Sequence, residues 1–277
     1  MSQPEFPRGD GGSPPLPGGG GGDVLRHYLQ AVSDALQAVE RETLAGVREA
    51  AARFARTILA GRLVHVFGTG HSRMAVEEMF PRYGSFPGFH PIVELSMSYH
   101  NPVVGANGQR QAMFLENVQG FGPVLWRNFA TSPDDALLAV SSSGCNAVTI
   151  DVALEARRLG MFVVALTSLA NAQASSSRHE SGRKLHEIAD LTLDQKAPPG
   201  DAVVWIHGLP TPVAPLSSVT SCTVVNLIKA EVARLLTEAG QPPKVLTSAF
   251  HLGAEGSRQI FEATYDDYRR RIGVLYR

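Results

Sequence analysis

The sequence predicts a doubly wound α/β domain, in which a parallel sheet is covered by helices on both faces. Short strands that are apolar throughout, such as Ala136–Val140 and Phe162–Thr167, alternate with segments whose apolar residues recur at helical spacing. Strands without polar alternation are typical of parallel sheets buried on both faces. Glycine- and serine-containing loops follow several of these strands, where open parallel sheets bind their ligands.

The first elements form a predicted helical arm. Apolar residues recur at intervals of three and four from Val24 to Leu59, with Asp23 placed as the N-cap. Gly46 weakens the middle, so the stretch is compatible with two helices, and Gly61 ends it.

The remaining elements follow in a regular order. The predicted strands are 63–67, 136–140, 162–167, 190–193 and 203–206, and the predicted helices are 72–83, 146–159, 217–239 and 258–271, with a further helix beginning near Gly122. Pro81 lies awkwardly near the end of one helix, whereas Gly160 is a natural stop for another.

The N-terminal segment has a different composition. Residues 1–22 contain eight glycines and five prolines, which favours a disordered leader, with a regulatory tail as the alternative. The segment has no basic region followed by an apolar core, so we expect no secretory signal. The domain itself is predicted to span residues 23–277.

Composition limits the classes of partner. The 25 basic and 26 acidic residues give a formal charge of −1, which disfavours nucleic acid as a partner. The longest apolar run, Met161–Leu166, is far shorter than the roughly 20 residues of a membrane span, so we expect no membrane association. Two cysteines are too few for a disulfide framework and favour a cytoplasmic location.

The loop after strand 136–140 is the strongest candidate site. Ser141, Ser142, Ser143 and Gly144 lie between a strand and a helix, where hydroxyls and helix N-terminal amides can bind a phosphate-type anion. The alternative is that Ser143 simply caps the helix. A cap accounts for one serine, whereas three in a row favour an anion site.

The loop after the first strand, Gly68-Thr69-Gly70-His71-Ser72, invites a dinucleotide-binding interpretation. That fingerprint requires Gly or Ala at its sixth position, where this chain has Arg73. The nucleoside-triphosphate loop motif is also absent. We therefore expect Gly70, His71 and Ser72 to contact a small polyol, and we expect no dinucleotide or other cofactor.

Carboxylates are the candidate bases for proton transfer. Glu116 interrupts an apolar patch, which favours a partly desolvated group suited to proton transfer, although an exposed or N-capping carboxylate is the alternative. Of Glu77 and Glu78, one is expected to face solvent and the other to reach the site, and we take Glu78 as the residue that reaches it. His251 lies in a predicted Gly-flanked loop before the last helix and is a second candidate.

Other reactive side chains have weaker patterns. The nine histidines show no metal-binding spacing, so no metal site is predicted. His65 lies inside a strand and is interpreted as a core or rim residue. Cys145 follows the serines, but no partner for a nucleophilic thiol is implied locally.

These motifs together resemble the sugar isomerase (SIS) domain family, which binds phosphosugars. The resemblance covers roughly residues 24–270 and is carried by 68–72, 140–144 and 163–168. Asn146 stands where the family's phosphate loop has Thr, and Ser168 closes the third loop. Segments 182–190, 200–202 and 215–218 resemble a bacterial branch of single-domain members that is similar to N-acetylglucosamine 6-phosphate dehydratase.

The resemblance implies a five-stranded parallel sheet, a metal-free site, and a homodimer or homotetramer with sites shared between subunits. It implies that the serine loop and Ser72 hold a 6-phosphate, that Glu116 removes the carbon 2 proton, and that Glu116 or His251 protonates the departing carbon 3 hydroxyl. Aldose–ketose isomerisation of a phosphosugar and a non-catalytic phosphosugar sensor are the alternatives. Residues 1–60 contain no recognisable DNA-binding helix-turn-helix, and the failed dinucleotide fingerprint disfavours an oxidoreductase.

Overall fold

A computed structural model describes residues 23–98 and 108–277 of the 277-residue chain. The predicted leader, residues 1–22, lies outside the described residues. Within the described part, no helix combines the length and the apolar character that crossing a bilayer requires.

The centre of the molecule is a five-stranded parallel sheet, as the resemblance implied. Its strands are β1 (Val64–Gly68), β2 (Phe89–Pro91), β3 (Ala136–Val140), β4 (Phe162–Thr167) and β5 (Leu191–Asp194), in the order β2-β1-β3-β4-β5. Every residue of β1 and β3 is buried, because helices cover both faces of the sheet.

Ten α-helices are present in the described residues. They are α1 (Val24–Glu42), α2 (Leu44–Leu59), α3 (Arg73–Met79), α4 (Leu95–Ser98), α5 (Gly108–Leu115), α6 (Phe121–Trp126), α7 (Ala147–Arg158), α8 (Leu169–Ala174), α9 (Ser217–Glu238) and α10 (Ala249–Ile272). Short 3₁₀ turns cover Gly70–Ser72, Leu185–Glu187 and Gly273–Tyr276. A separate antiparallel ribbon pairs β6 (Ala202–Val204) with β7 (Val213–Pro215).

Alternate residues along each strand pack into two hydrophobic cores, one on each face of the sheet. On one face Val66, Leu138 and Leu166 pack with residues of α2, α3 and α9. On the other face Leu137 and Val163 pack with residues of α6 and α7. The period of two along a strand places successive side chains on opposite faces, so these strands must be apolar throughout.

The helical arm begins as predicted but is interrupted elsewhere. Asp23 accepts hydrogen bonds from the main-chain N–H groups of Leu25 and Arg26, which confirms the N-cap. The interruption falls at Thr43 and not at Gly46. Gly46 lies inside α2, where a Cβ atom would come within 2.8 Å of Leu193 Cδ2, so this glycine allows close helix–sheet packing.

Three predicted elements differ from the structure. The helix predicted over 72–83 ends at Met79, because Phe80 becomes extended before Pro81. The predicted strand 203–206 is β6 of the separate ribbon and does not join the main sheet. The predicted loop before the last helix is helical from Ala249, with a break at Gly253.

Candidate functional site

Two polar loops meet at the point where strand order reverses. With the order β2-β1-β3-β4-β5, the reversal lies between β1 and β3, which are hydrogen-bonded neighbours. Ligands of doubly wound sheets bind beyond the carboxyl ends of the strands at this position. The loops at residues 69–72 and 141–146 both begin there.

The three serines of the 141–146 loop share one hydrogen-bonding pattern. Ser141 Oγ accepts from the main-chain N–H of Gly144 at 3.1 Å, and Ser143 Oγ accepts from that of Cys145 at 3.3 Å. Ser142 Oγ accepts from Gln195 Nε2 at 2.9 Å. A hydroxyl that accepts from an N–H still carries its own hydrogen, so each serine retains a donor for an anion. We call residues 141–146 the cradle.

The cradle is held in place by its neighbours. Gly144 has φ +63°, and a Cβ atom there would come within 3.0 Å of Thr167 Oγ1. Thr167 Oγ1 and the main-chain N–H of Ser168 both donate to the Ser142 carbonyl. The turn therefore needs glycine and is fastened to the end of β4.

Helix α7 begins at Ala147 with Asn146 as its N-cap. The alternative in which Ser143 caps the helix is therefore wrong, since Ser143 lies three residues earlier. The Asn146 side chain makes no capping hydrogen bond. The serines thus precede the helix N-terminus, whose partial positive charge favours an anion.

Glu116 connects the loop after β1 to the first turn of α7. Its Oε2 accepts a 2.9 Å hydrogen bond from Thr69 Oγ1, and its main-chain carbonyl accepts a 3.0 Å bond from Val148 N in the first turn of α7. Glu116 is half-buried and Thr69 is buried. The carboxylate therefore lies at the loop after β1, and the main chain of Glu116 lies against the start of the helix that follows the cradle.

The β1 loop forms a tight 3₁₀ turn. A Cβ atom at Gly68 would come within 2.9 Å of the Ser72 carbonyl, so the loop folds closely onto the strand end. Gly70 has φ +55°, His71 is exposed and Ser72 is half-buried. These three residues lie at the same sheet edge as the cradle, and their substrate contacts stay a prediction.

Three other candidates contact neighbouring groups of the protein. The buried Ser168 hydroxyl donates to Ala197 O and accepts from Asn171 N. Glu78 pairs with Arg82 and lies 3.7 Å from the buried Lys229 Nζ. His251 is exposed in the first turn of α10, 5.0 Å from the Phe250 ring. Their predicted roles stay predictions.

His65 is a core residue at the opposite end of the sheet, which agrees with its interpretation. Its Nδ1 lies 3.0 Å from His90 Nδ1, and Asp135 lies 3.6 Å from its other ring nitrogen. Burial, and then the neighbouring His65, lower the pKa of His90 to about 3, although Asp135 opposes this. Asp135 in turn makes two hydrogen bonds with Arg62.

Cys145 is not suited to act as a nucleophile. It is buried, its Sγ donates to the Ser143 carbonyl, and burial raises the pKa of its thiol. The positive charges of Lys184 and Arg178 only partly oppose this rise. Since the thiolate is the reactive form, the raised pKa disfavours nucleophilic attack by this thiol.

Sequence reasoning missed Gln195 and Arg178. Gln195 follows β5 directly and donates to Ser142, so the rule that sites lie beyond strand ends could have indicated it. Arg178 donates to Asn146 Oδ1 from an irregular segment that carried no signal. In the described residues, no group of three or more His, Cys, Asp or Glu side chains is arranged to hold a metal ion.

Fold and loop placement together define an α/β domain whose polar loops converge at the switch point of a parallel sheet. The SIS domain family matches residues 27–168 of the chain. This chain therefore belongs to the SIS domain family of phosphosugar-binding proteins.

Relatives extend the match over most of the chain. A UPF0309 protein of Geobacillus thermodenitrificans is 31% identical over 252 residues, which cover 91% of this chain and 98% of that protein. A UPF0309 protein of Oceanobacillus iheyensis is 32% identical over 244 residues, covering 87% and 97%. The solved structure of a phosphoheptose isomerase from Francisella tularensis covers 76% of this chain and 97% of its own, with a TM-score of 0.51 and 16% identity, and shows the shared fold.

Proposed function

We propose that this chain is a sugar-phosphate lyase that dehydrates N-acetylglucosamine 6-phosphate. The observation that carries the proposal is the position of Glu116, whose carboxylate accepts a hydrogen bond from Thr69 on the loop after β1 and whose main-chain carbonyl accepts one from Val148 N in the first turn of α7. A carboxylate held beside an anion cradle can reach the carbon skeleton of a sugar whose far end is anchored by its phosphate.

The cradle supplies the anchor. Ser141, Ser142 and Ser143 each keep a hydroxyl hydrogen for the phosphate oxygens, because each already accepts from an N–H group. The side chain of Asn146 adds donors at the same end, where the partial positive charge of the α7 N-terminus also favours an anion. Ser72, His71 and Gly70 then face the polyol chain from the neighbouring loop.

The proposed dehydration needs no reactant other than the sugar phosphate. In the open-chain sugar the aldehyde acidifies the carbon 2 hydrogen, which Glu116 removes as a proton. The carbon 2 electron pair forms the carbon 2–carbon 3 double bond as the carbon 3–oxygen bond breaks, and the hydroxyl leaves as water after protonation. The products are an unsaturated N-acetylamino aldehyde 6-phosphate and one water molecule.

The leaving hydroxyl needs an acid. The protonated Glu116 can return its proton, or His251 can supply one from a partner subunit. The second route is supported by the exposed turn at 250–252, where Phe250 is 90% exposed and Leu252 is 49% exposed, since exposed apolar side chains favour contact with another chain. We assign no step to Glu78, because Arg82 and Lys229 engage its carboxylate.

A substrate experiment tests the proposal. Incubation with N-acetylglucosamine 6-phosphate should produce the ultraviolet absorbance of a conjugated enal, together with a mass loss of one water. Unphosphorylated N-acetylglucosamine is the matched control and should remain unchanged, since it lacks the anchor.

The other outcomes identify the alternatives. A ketose of unchanged mass from a phosphosugar without the N-acetyl group would indicate aldose–ketose isomerisation, which shares the first proton transfer. The acetylated amine at carbon 2 prevents simple isomerisation to an ordinary ketose, so the identity of the substrate decides the result. Binding without any conversion would indicate a sensor and would contradict the lyase.

A further inference from the structure

The segment after α8 lies against the cradle loop. The main-chain N–H of Arg178 donates to the Cys145 carbonyl at 2.9 Å, and that of Leu185 donates to the Gly144 carbonyl at 2.9 Å. We call residues 178–185 the strap. The two ends of the strap thus hydrogen-bond to main-chain carbonyl groups of the cradle. Neither of these bonds uses a serine hydroxyl, so the hydroxyls remain available for a ligand.

The strap is itself fixed beside the start of α7. His179 Nδ1 accepts the main-chain N–H of Ser181 at 3.1 Å, so the proton of a neutral ring is on Nε2, which donates to Asp151 Oδ1 at 3.0 Å. Both His179 and Asp151 are buried. Gln119 Nε2 donates to the Arg178 carbonyl at 2.7 Å. The backbone of Arg178 is therefore held on both sides.

Arg178 determines which way the Asn146 amide faces. A guanidinium group has only donors, so its hydrogen bond to Asn146 requires the amide oxygen Oδ1 at that contact. The amide nitrogen Nδ2, with its two hydrogens, must then point away from Arg178. Asn146 makes no capping bond to α7, and within residues 23–98 and 108–277 no acceptor for Nδ2 is found among the side-chain hydrogen bonds.

We propose that Arg178 is a positioning residue that orients Asn146 so that its NH₂ group donates to the phosphate held in the cradle. The inference rests on the phosphate-binding part of the proposed function and adds a residue outside the cradle. At position 146 the Asn amide then takes the place of the Thr hydroxyl of the family's phosphate loop. The amide can donate to the phosphate only when its oxygen Oδ1 faces away from the ligand. A misoriented amide would present a carbonyl oxygen to an anion.

A double-mutant cycle at positions 146 and 178 tests this relationship. The probes are inorganic phosphate, followed by ³¹P NMR, and N-acetylglucosamine 6-phosphate, followed by calorimetry. Arg178→Met should weaken binding about tenfold, the effect of losing one hydrogen bond to a charged group. Arg178→Lys should restore most of the affinity, because lysine also only donates.

The decisive comparison uses a residue at position 146 that needs no orientation. Asn146→Thr supplies a rotatable hydroxyl, so adding Arg178→Met to it should change affinity by less than about twofold. Asn146→Asp keeps the contact with Arg178 but turns an oxygen toward the ligand, and it should weaken binding by about 100-fold or more. Arg183→Met, which removes a strap arginine that bonds to the Glu187 carbonyl, should leave affinity unchanged.

Equal loss from Arg178→Met in both backgrounds would overturn the inference, as would wild-type affinity in Asn146→Asp. Binding of phosphate that is insensitive to Ser143→Ala would also overturn it, since the anion would then lie elsewhere. Thermal unfolding of each variant separates loss of binding from loss of folding. If both probes bind and the cycle shows coupling while no sugar is dehydrated, the lyase proposal fails and the role of Arg178 stands.

Discussion

The hydroxyl of Thr69 donates a 2.9 Å hydrogen bond to Oε2 of Glu116 and thereby joins the loop after β1 to the proposed base. Thr69 is buried, so this bond is shielded from competing water and restricts the rotation of the carboxylate. The bond gives Glu116 a defined direction relative to the cradle, which a carboxylate on an exposed loop would lack.

Replacement of the proposed base should remove turnover without removing binding. Glu116→Gln keeps the shape and an acceptor for Thr69 but cannot take a proton, so kcat should fall about 100- to 10,000-fold, or roughly 3–5 kcal/mol of barrier. Thr69→Val should lower kcat about tenfold through lost orientation, and Thr69→Ser should retain it. Initial rates with the proposed substrate check these values, with the exposed Glu238→Gln as the control. Near-normal turnover of Glu116→Gln would remove Glu116 from the mechanism.

Loss of one cradle hydroxyl should weaken the affinity for the phosphorylated substrate. Ser143→Ala removes a donor to the phosphate and should weaken substrate binding by about 1–3 kcal/mol, the range for a hydrogen bond to a charged group. Calorimetric titration with N-acetylglucosamine 6-phosphate measures this, and Ser33→Ala on α1 is the matched control. Unchanged affinity in Ser143→Ala would contradict the cradle as the phosphate site.

Strands β3 and β4 and the serine loop between β3 and α7 were predictable because each depends on local sequence. A buried parallel strand must be apolar on both faces, and β3 and β4 therefore stand out with correct bounds. Strand β2 was not predicted, because Phe89–Pro91 is three residues long and follows Pro87 and Gly88, which read as a turn.

Features that depend on contacts between distant residues were not predictable. In the sequence Gly46 looks like a helix breaker. In the structure it lets Leu193 of β5 approach α2, and these two residues are about 150 positions apart in the chain. The same holds for the candidate site. The cradle serines were evident in the sequence. Gln195 and Arg178 were not, because their hydrogen bonds to Ser142 and Asn146 depend on the placement of β5 and of the strap.

The Cys145 thiol should not contribute to turnover. Burial raises the pKa of this thiol, so little thiolate exists at pH 7. Cys145→Ser should keep the wild-type kcat, and iodoacetamide at pH 7 should label Cys145 only after unfolding, as peptide mass mapping would show. Inactivation by labelling of native Cys145, prevented by substrate, would contradict this prediction.

Stability should decrease on mild acidification because of His90. Burial lowers the pKa of His90 from its ordinary value of 6.5 to about 3, so below pH 6.5 the unfolded chain takes up a proton that the folded chain does not. This group stabilises the fold above pH 6.5 and loses that contribution as the pH falls toward 3. The loss should be about 2 kcal/mol between pH 7 and pH 5.

Urea unfolding at the two pH values measures the His90 contribution. His90→Asn should be less stable at pH 7 but should show a smaller difference between pH 7 and pH 5 than the wild type. His27→Asn, a change on the exposed side of α1, should leave that difference unaltered. An equal pH dependence in His90→Asn and in the wild type would mean that His90 is not the titrating group.

Complementation tests whether His251 serves a site in another subunit. If His251 is the acid, Glu116→Gln and His251→Asn should each be inactive when pure. If one subunit supplies Glu116 and its partner supplies His251, a mixed dimer regains one intact site, so random mixing at equal amounts restores about a quarter of the wild-type rate. Refolding the two variants together and measuring enal formation gives the value. Activity of pure His251→Asn at the wild-type level would instead assign both proton transfers to Glu116, and an inactive mixture would place Glu116 and His251 of one chain in the same site.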